Sequence, residues 1–414
     1  MAKGKGRRDK AVKRQYEALP YPPRDPKDEA ARLIEGSPSH LDELNHYLFA
    51  GKRDFSQSFR VLVAGGGTGD AAIMLAQHLA DRGKAGHVTY LDLSTASRKV
   101  AEARAKVRGL ENIEFITGSL LDLPTLKLPL FDYIDCCGVL HHLEEPETGL
   151  AALAASLADD GGMGLMVYAT LGRTGVYPIQ NALRVLTEDE SVNGQVKLAK
   201  SLLIDLPSGN WLNKNKVLGD HKLGEDAALY DLLLHPRDRS YLVPEVLELI
   251  GGAGLDLVSF IEPIRYEPET YLKDTELRKR ARKLDDGVRA ALAENLSGTI
   301  KTHTFYIRKT GGDAAGPAKF DPEMIPFLKD DNAEALSRTL AMRSTLTAHF
   351  DAEPMTFDVP EGAAEFVLQI DGRKSLRDIQ ADISMTWPNF RARYAPTYKM
   401  LQGLNLLWLK SRRD

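Results

Sequence analysis

The sequence predicts an α/β fold: a mostly parallel sheet with crossover helices, interrupted by a helical insertion and followed by a small α+β module. Three observations carry this expectation. Short apolar runs alternate with helical periodicity between residues 60 and 168, a glycine run closes the first apolar segment, and an aspartate closes the second. Alternation of this kind builds parallel strands joined by helices.

Arg60–Ala64 reads as the first strand, and Gly69 to Ala80 as a helix with Ala72, Ile73, Leu75, Ala76 and Leu79 on one side. His87–Leu91, Asn112–Thr117, Phe131–Cys136 and Gly164–Tyr168 read as strands, with helices over Thr95–Arg108 and Glu147–Leu157 between them. Upstream, the prolines of Pro20–Pro23 disfavour helix, while Pro26 to Leu33 and Ser39 to Phe49 read as short helices, the second with Ser39 as N-cap. From about 172 to 238 the alternation breaks into polar, partly helical sequence with turn chemistry at Pro207–Asn210. It resumes with a helix over Pro244–Ala253 stopped by Gly254, then strands over Leu255–Ile261 and Ile300–Arg308. Beyond Thr310, helices over 332–349, 361–370, 375–385 and 390–402 with strands near 355–358 and 404–410 suggest a winged-helix-like module.

The chain has 414 residues, enough for two or three domains with their own cores. No apolar run approaches the roughly 20 residues of a spanning helix, and the first residues lack a secretory h-region. The only cysteines, Cys136 and Cys137, are adjacent, so they form neither a structural staple nor a zinc site alone, and the chain reads as cytoplasmic. Strand geometry points the two to opposite faces. A net charge of -4 argues against a dedicated nucleic-acid binder. The basic cluster Lys3, Lys5, Arg7, Arg8, Lys10, Lys13 and Arg14 reads as a solvated arm, with contact to RNA, DNA or an acidic partner as the alternative.

The chemistry starts at Gly65-Gly66-Gly67-Thr68-Gly69-Asp70. A strand ending in closely spaced glycines and opening into a helix lets a ligand approach the backbone and meet helix N-terminal N–H groups. Gly67 to Ala72 also fits the dinucleotide pattern G-x-G-x-x-A. Asp92, 23 residues after Gly69, ends strand two, where a carboxylate accepts from a ribose diol; helix N-capping is its alternative role. Together these mark an adenosine site without choosing the cofactor.

At this point the chain resembles the class I S-adenosylmethionine-dependent methyltransferases, over about residues 58 to 170 and again 239 to 308. Val61–Gly69 is similar to the family's first motif and Tyr90-Leu91-Asp92-Leu93-Ser94 to its ribose-binding motif. Asn112–Leu123, with Ser119 and Leu120, is similar to the adenine-side motif, and Phe131–Leu143, with Cys137 and Gly138, to the fourth motif of small-molecule methyltransferases. The resemblance implies a Rossmann-like, seven-stranded, mostly parallel sheet whose last strand is antiparallel, with S-adenosyl-L-methionine as cofactor. Resemblance, composition and periodicity together divide the chain into an N-terminal arm with lid helices (1–57), a methyltransferase domain (58–310) with its insertion at about 172–238, a linker (311–330) and the winged-helix-like module (331–414). Two departures stand out. The acid the family carries two positions before the first motif glycine is Val63 here, so another group must brace the loop or the cofactor's methionine end. The usual adenine-side Asp is Ser119, with Asp122 as an alternative.

Methyl transfer needs alignment first, and a base only for a nucleophile that arrives protonated. His141 and His142 lie at the carboxyl edge of the sheet, where one can act as base. The alternative is that one bonds the loop while the other packs. Tyr168 ends strand five at the same edge, either lining the acceptor pocket or packing in the core. Tyr16, Tyr21, Pro20–Pro23 and Asn45-His46-Tyr47 are candidates for a lid, or for packing against the sheet edge. The expected partner is an unidentified small-molecule or protein methyl acceptor, with no membrane and a homodimer open. Two other readings are an NAD(P)-dependent oxidoreductase, which predicts an all-parallel second half, and a non-catalytic S-adenosylmethionine-binding regulator acting through its tail.

Overall fold

The computed structural model describes residues 12–412 apart from Lys84, Leu223, Asp331 and Ala352. The basic residues Lys3 to Lys10 of the expected arm lie outside the described residues. Seven strands form one sheet: β1 (Phe59–Ala64), β2 (Gly86–Asp92), β3 (Ile113–Thr117), β4 (Phe131–Cys137), β5 (Leu157–Tyr168), β6 (Leu255–Phe260) and β7 (Thr302–Lys309). Their order is β3-β2-β1-β4-β5-β7-β6. All pairings are parallel except those of β7 with β5 and β6. The order reverses between β1 and β4, which opens a crevice at their carboxyl ends, the usual ligand position in such sheets.

Period-2 alternation gives the sheet two apolar faces. Leu62, Ile134, Leu165 and Phe305 pack against helices Pro146–Ser156 and Val243–Gly252. Val61, Val63, Tyr133 and Tyr306 pack against helices Leu41–Leu48 and Asp70–Asp81. Local chemistry sets the element ends. Ser94 caps helix Thr95–Arg108 by accepting from Ser97 N–H, and Gly109 at φ +67° stops it.

Several boundaries depart from the sequence reading. Pro26–Ala30 is only a 3-10 turn capped by Asp25. The helix expected from Ser39 begins at Leu41, because the Ser39 hydroxyl is drawn to Asp135 at 2.5 Å instead of capping. The insertion holds helices Val176–Leu186, Val192–Asp205, Trp211–Lys214 and Asp226–Leu233 around their own apolar cluster of Val176, Leu183, Val196, Leu229 and Leu233.

The expected linker at 311–330 contains a strand, β8 (Met324–Leu328), whose apolar run pairs antiparallel with β11 (Leu407–Ser411). The helix expected over 332–349 stops at Met342, and the Thr- and Phe-bearing stretch that follows makes β9 (Thr345–Phe350), paired with β10 (Glu353–Asp358). Helices Ala363–Leu368, Leu376–Asp382 and Trp387–Gly403 complete the tail. The tail docks on the sheet domain: Trp408 is buried in the same cluster as Tyr47 and Tyr306, and Ser411 N–H donates to Gly51 O at 2.7 Å. Among the described residues no helix is long and apolar enough to cross a membrane.

Candidate active site

The chain leaves β1 through Gly65–Gly69 and enters helix Asp70–Asp81. Gly65, Gly67 and Gly69 have φ of +79°, +51° and +105°, values that residues with a Cβ adopt at a cost. At Gly67 a Cβ would also stand 2.7 Å from the Tyr21 carbonyl oxygen. Asp92 accepts from Gly67 N–H at 2.8 Å with one oxygen and from Ser94 N–H at 2.8 Å with the other. It therefore braces the loop, and each oxygen keeps a lone pair for a diol. Burial raises its carboxyl above the usual range.

The N-terminal arm closes over this loop. Thr68 N–H donates to Tyr21 O (3.3 Å) and its hydroxyl to Pro22 O (2.6 Å). Arg104, buried to 1% exposure, donates to Glu29 (2.6 and 2.8 Å), to Asp70 (2.6 Å) and to Thr68 O (2.8 Å). Arg24 also grips Asp70 at 2.7 Å, and Arg108 meets Glu29. Glu17 accepts from Thr95 N–H (2.7 Å) and the Thr95 hydroxyl (2.8 Å) at the start of helix Thr95–Arg108.

Beneath the arm lies a cavity of about 510 Å³. Gly65, Gly66, Gly67, Asp70, Asp92, Leu93, Ser119, Leu120, Cys137, Gly138, His142 and Tyr168 line it, together with Tyr16, Tyr21 and Pro22 of the arm. Thr68, Gly69 and His141 do not. Thr68 is fully buried and faces the arm, and Gly69 backs onto Ala101. Asn45, His46 and Tyr47 do not cover the cavity either. His46 accepts from Leu409 N–H and Tyr47 donates to Asn405, so that helix serves the tail. Ser119 accepts from Leu121 N–H, and Asp122 from Ser119 N–H, closing a capping box. Cys136 sits in the core and Cys137 at the cavity, on opposite faces of β4.

Opposite the glycine loop, a polar cluster converges on Asp231 of the insertion. Tyr168 OH donates to Asp231 Oδ2 at 2.7 Å, and Tyr16 OH reaches Oδ1 at 3.4 Å. Residue Arg237 sets two imidazoles through its backbone. Its N–H donates to His235 Nδ1 (3.1 Å), leaving the proton on Nε2, which lies 3.4 Å from Tyr16 OH. Its carbonyl accepts from His142 Nδ1 (2.8 Å), which leaves Nε2 as the other nitrogen of that ring. The two rings stack at 3.6 Å. His142, Asp231 and His235 each offer a donor atom within 4.8 Å of the others. The proton on His235 Nε2 makes this a hydrogen-bond cluster rather than a metal cage. His141 packs on the Tyr168 ring at 3.8 Å with neither ring nitrogen bonded, and burial holds it well below the usual histidine range, hence neutral.

Sequence reading missed Asp135, Asp231, His235 and Arg173. Three of them sit in the insertion, where no periodicity or motif distinguishes a site residue from a solvated one. Asp135 had a signal: an acid in the middle of an otherwise apolar stretch of strand.

Residues 62–163 match the family described as a methyltransferase domain. An uncharacterized protein from Synechococcus sp. (strain ATCC 27144 / PCC 6301 / SAUG 1402/1) is 30% identical over 313 residues, covering 72% of each chain. The chain belongs to the class I S-adenosylmethionine-dependent methyltransferases. The solved structure of PKMT2 from Rickettsia typhi shares the fold of this methyltransferase with a TM-score of 0.61 at 14% identity, covering 94% of this chain and 77% of that one. The same protein in complex with AdoHcy gives a TM-score of 0.58 at 15% identity, covering 87% and 72%. The cofactor of the enzyme is accordingly S-adenosyl-L-methionine, and the reading as an NAD(P)-dependent oxidoreductase falls. The antiparallel β7 is equally at odds with the all-parallel second half which that reading requires.

Proposed function

We propose that this methyltransferase methylates an amine nitrogen, with the cofactor on the Gly65–Gly67 and Asp92 side of the cavity and the acceptor against Tyr16, Tyr168 and Asp231. When bound, S-adenosylmethionine supplies a methyl group already activated on a sulfonium. Asp92 holds the ribose diol, Leu93 and Leu120 flank the adenine, and Ser119 meets its polar edge. Gly138 and Cys137 line the floor beside the reacting centre.

One observation carries the amine reading. Asp231 is buried, has no ion pair among the described residues, and lies within 4.8 Å of a ring nitrogen of His142. A buried carboxylate that makes no ion pair favours a cationic guest. An ammonium group would be held by Asp231 and the two tyrosine oxygens, lose its proton to His142 Nε2, and present its lone pair to the methyl. Burial raises the Tyr16 and Tyr168 hydroxyls well above the usual range, so both stay protonated donors. Arg173, paired with Asp238 at 2.8 Å and lying 3.7 Å over the Tyr168 ring, fixes that ring.

The free cysteines support a cytoplasmic setting. Exposed Val185, Leu186, Ile204 and Trp211 on the insertion support a homodimer or a protein acceptor. The test is labelled-methyl transfer from S-adenosylmethionine into cell extract, followed by alkaline hydrolysis of the products. Label that survives as methylamine-type nitrogen is expected. Label released as methanol would mean a carboxyl-oxygen acceptor and would overturn the amine assignment.

A further inference from the structure

Among the described residues, five carboxylates line the cavity: Glu35, Asp70, Asp92, Asp135 and Asp231. Glu35 is half exposed and bonded to His78 at 2.8 Å. Asp70 is neutralised by Arg24 and Arg104. Asp92 is engaged by two backbone N–H groups at the ribose position, and Asp231 faces the acceptor cluster. Asp135 remains. It is 2% exposed, accepts from the Ser39 hydroxyl at 2.5 Å and the Cys137 thiol at 3.7 Å, and has no ion pair among the described residues.

Its place in the sheet is specific. Asp135 is the register partner of Val63 across the parallel β1–β4 pair, so both side chains stand on the same face, side by side, and both line the cavity. Val63 lies just before Gly65 and Asp135 just before Gly138, and both glycines line the cavity at positive φ, +79° and +77°. The paired side chains thus stand beneath the two turns that bound the crevice.

We infer that Asp135 binds the α-ammonium of the cofactor's methionine moiety, supplying from β4 the negative charge that β1 lacks at Val63. The inference rests on the cofactor placement proposed above. A carboxylate this deeply buried is costly when ionised and unpaired. The amino-acid end of the cofactor carries the cation that would pair it, and Ser39 orients the carboxylate through its hydroxyl.

The test is calorimetry on wild type and Asp135→Asn with three ligands: S-adenosylhomocysteine, its analogue lacking the α-amine, and methylthioadenosine, which lacks the whole amino-acid arm. Asn keeps the shape and an acceptor for Ser39. The variant is expected to bind S-adenosylhomocysteine at least tenfold more weakly, and both other ligands within twofold of wild type. Unchanged S-adenosylhomocysteine affinity, or equal loss for all three ligands, would overturn the assignment. Should Asp135→Asn not fold, wild type must still prefer S-adenosylhomocysteine to its deaminated analogue at least tenfold, and the exchange Val63→Asp with Asp135→Val must keep that preference. A swapped protein that folds and shows no preference also overturns it. Failure of wild type to bind methylthioadenosine would instead count against the cofactor placement itself.

Discussion

Replacing Asp135 by Asn should stabilise the cofactor-free protein, and the gain should depend on pH. Burial pushes the Asp135 carboxyl from 3.8 up to about 6, against the pull of the Ser39 hydroxyl. Between those values the folded chain holds a proton that the unfolded chain has released, so stability falls as pH rises through the window. About two pH units at 1.36 kcal/mol each amount to about 3 kcal/mol, absent below about pH 4 and complete above about pH 6. Asn carries no such charge. At about 2 °C per kcal/mol for a unit of this size, the variant's melting temperature relative to wild type should rise by on the order of 5 °C between about pH 4.5 and about pH 7.5. Other buried carboxylates are common to both proteins and cancel in the difference. The assay is differential scanning fluorimetry of both apoproteins across that range. A difference that stays flat with pH, or moves towards wild type, would refute the reasoning.

Arg104→Ala should destabilise the protein by about 3 kcal/mol, because Glu29 and Asp70 lose a buried partner; thermal melts measure this, and faster proteolysis between residues 17 and 30 should accompany it. Gly67→Ala combines a left-handed backbone with a Cβ 2.7 Å from Tyr21 O, so it should push the arm off the loop and weaken S-adenosylhomocysteine binding at least tenfold by calorimetry. His142→Gln should leave that binding within twofold while label transfer from S-adenosylmethionine falls by about 10²-fold or more; unimpaired transfer would remove His142 as base.

The fold was legible where periodicity and turn chemistry agreed. Apolar runs marked β1 to β5, and Gly254 marked the end of a late helix correctly. The tail was less legible. Thr345–Phe350 continues an amphipathic helical pattern until its β-branched and aromatic residues pair with β10, a choice made by tertiary contact. The cofactor loop announced itself through Gly65–Gly69 and Asp92 because close backbone approach demands those residues in those places. Thr68 shows the limit: the motif contains it, yet it faces the arm, which no spacing reveals. Asp231 and His235 lie far along the chain from Tyr168 and His142, and only the return of the insertion brings Asp231 to Tyr168 and His235 onto His142.

Whether Gly65–Gly69 and Asp92 form the S-adenosylmethionine site is tested most directly by calorimetry with S-adenosylmethionine, S-adenosylhomocysteine and NAD on wild type and Asp92→Ala. Wild type is expected to bind the first two and not NAD. Asp92→Ala, losing the diol acceptor and the Gly67 brace together, is expected to bind them at least tenfold more weakly. NAD binding without S-adenosylhomocysteine binding, or an Asp92→Ala variant with unaltered affinity, would contradict this placement.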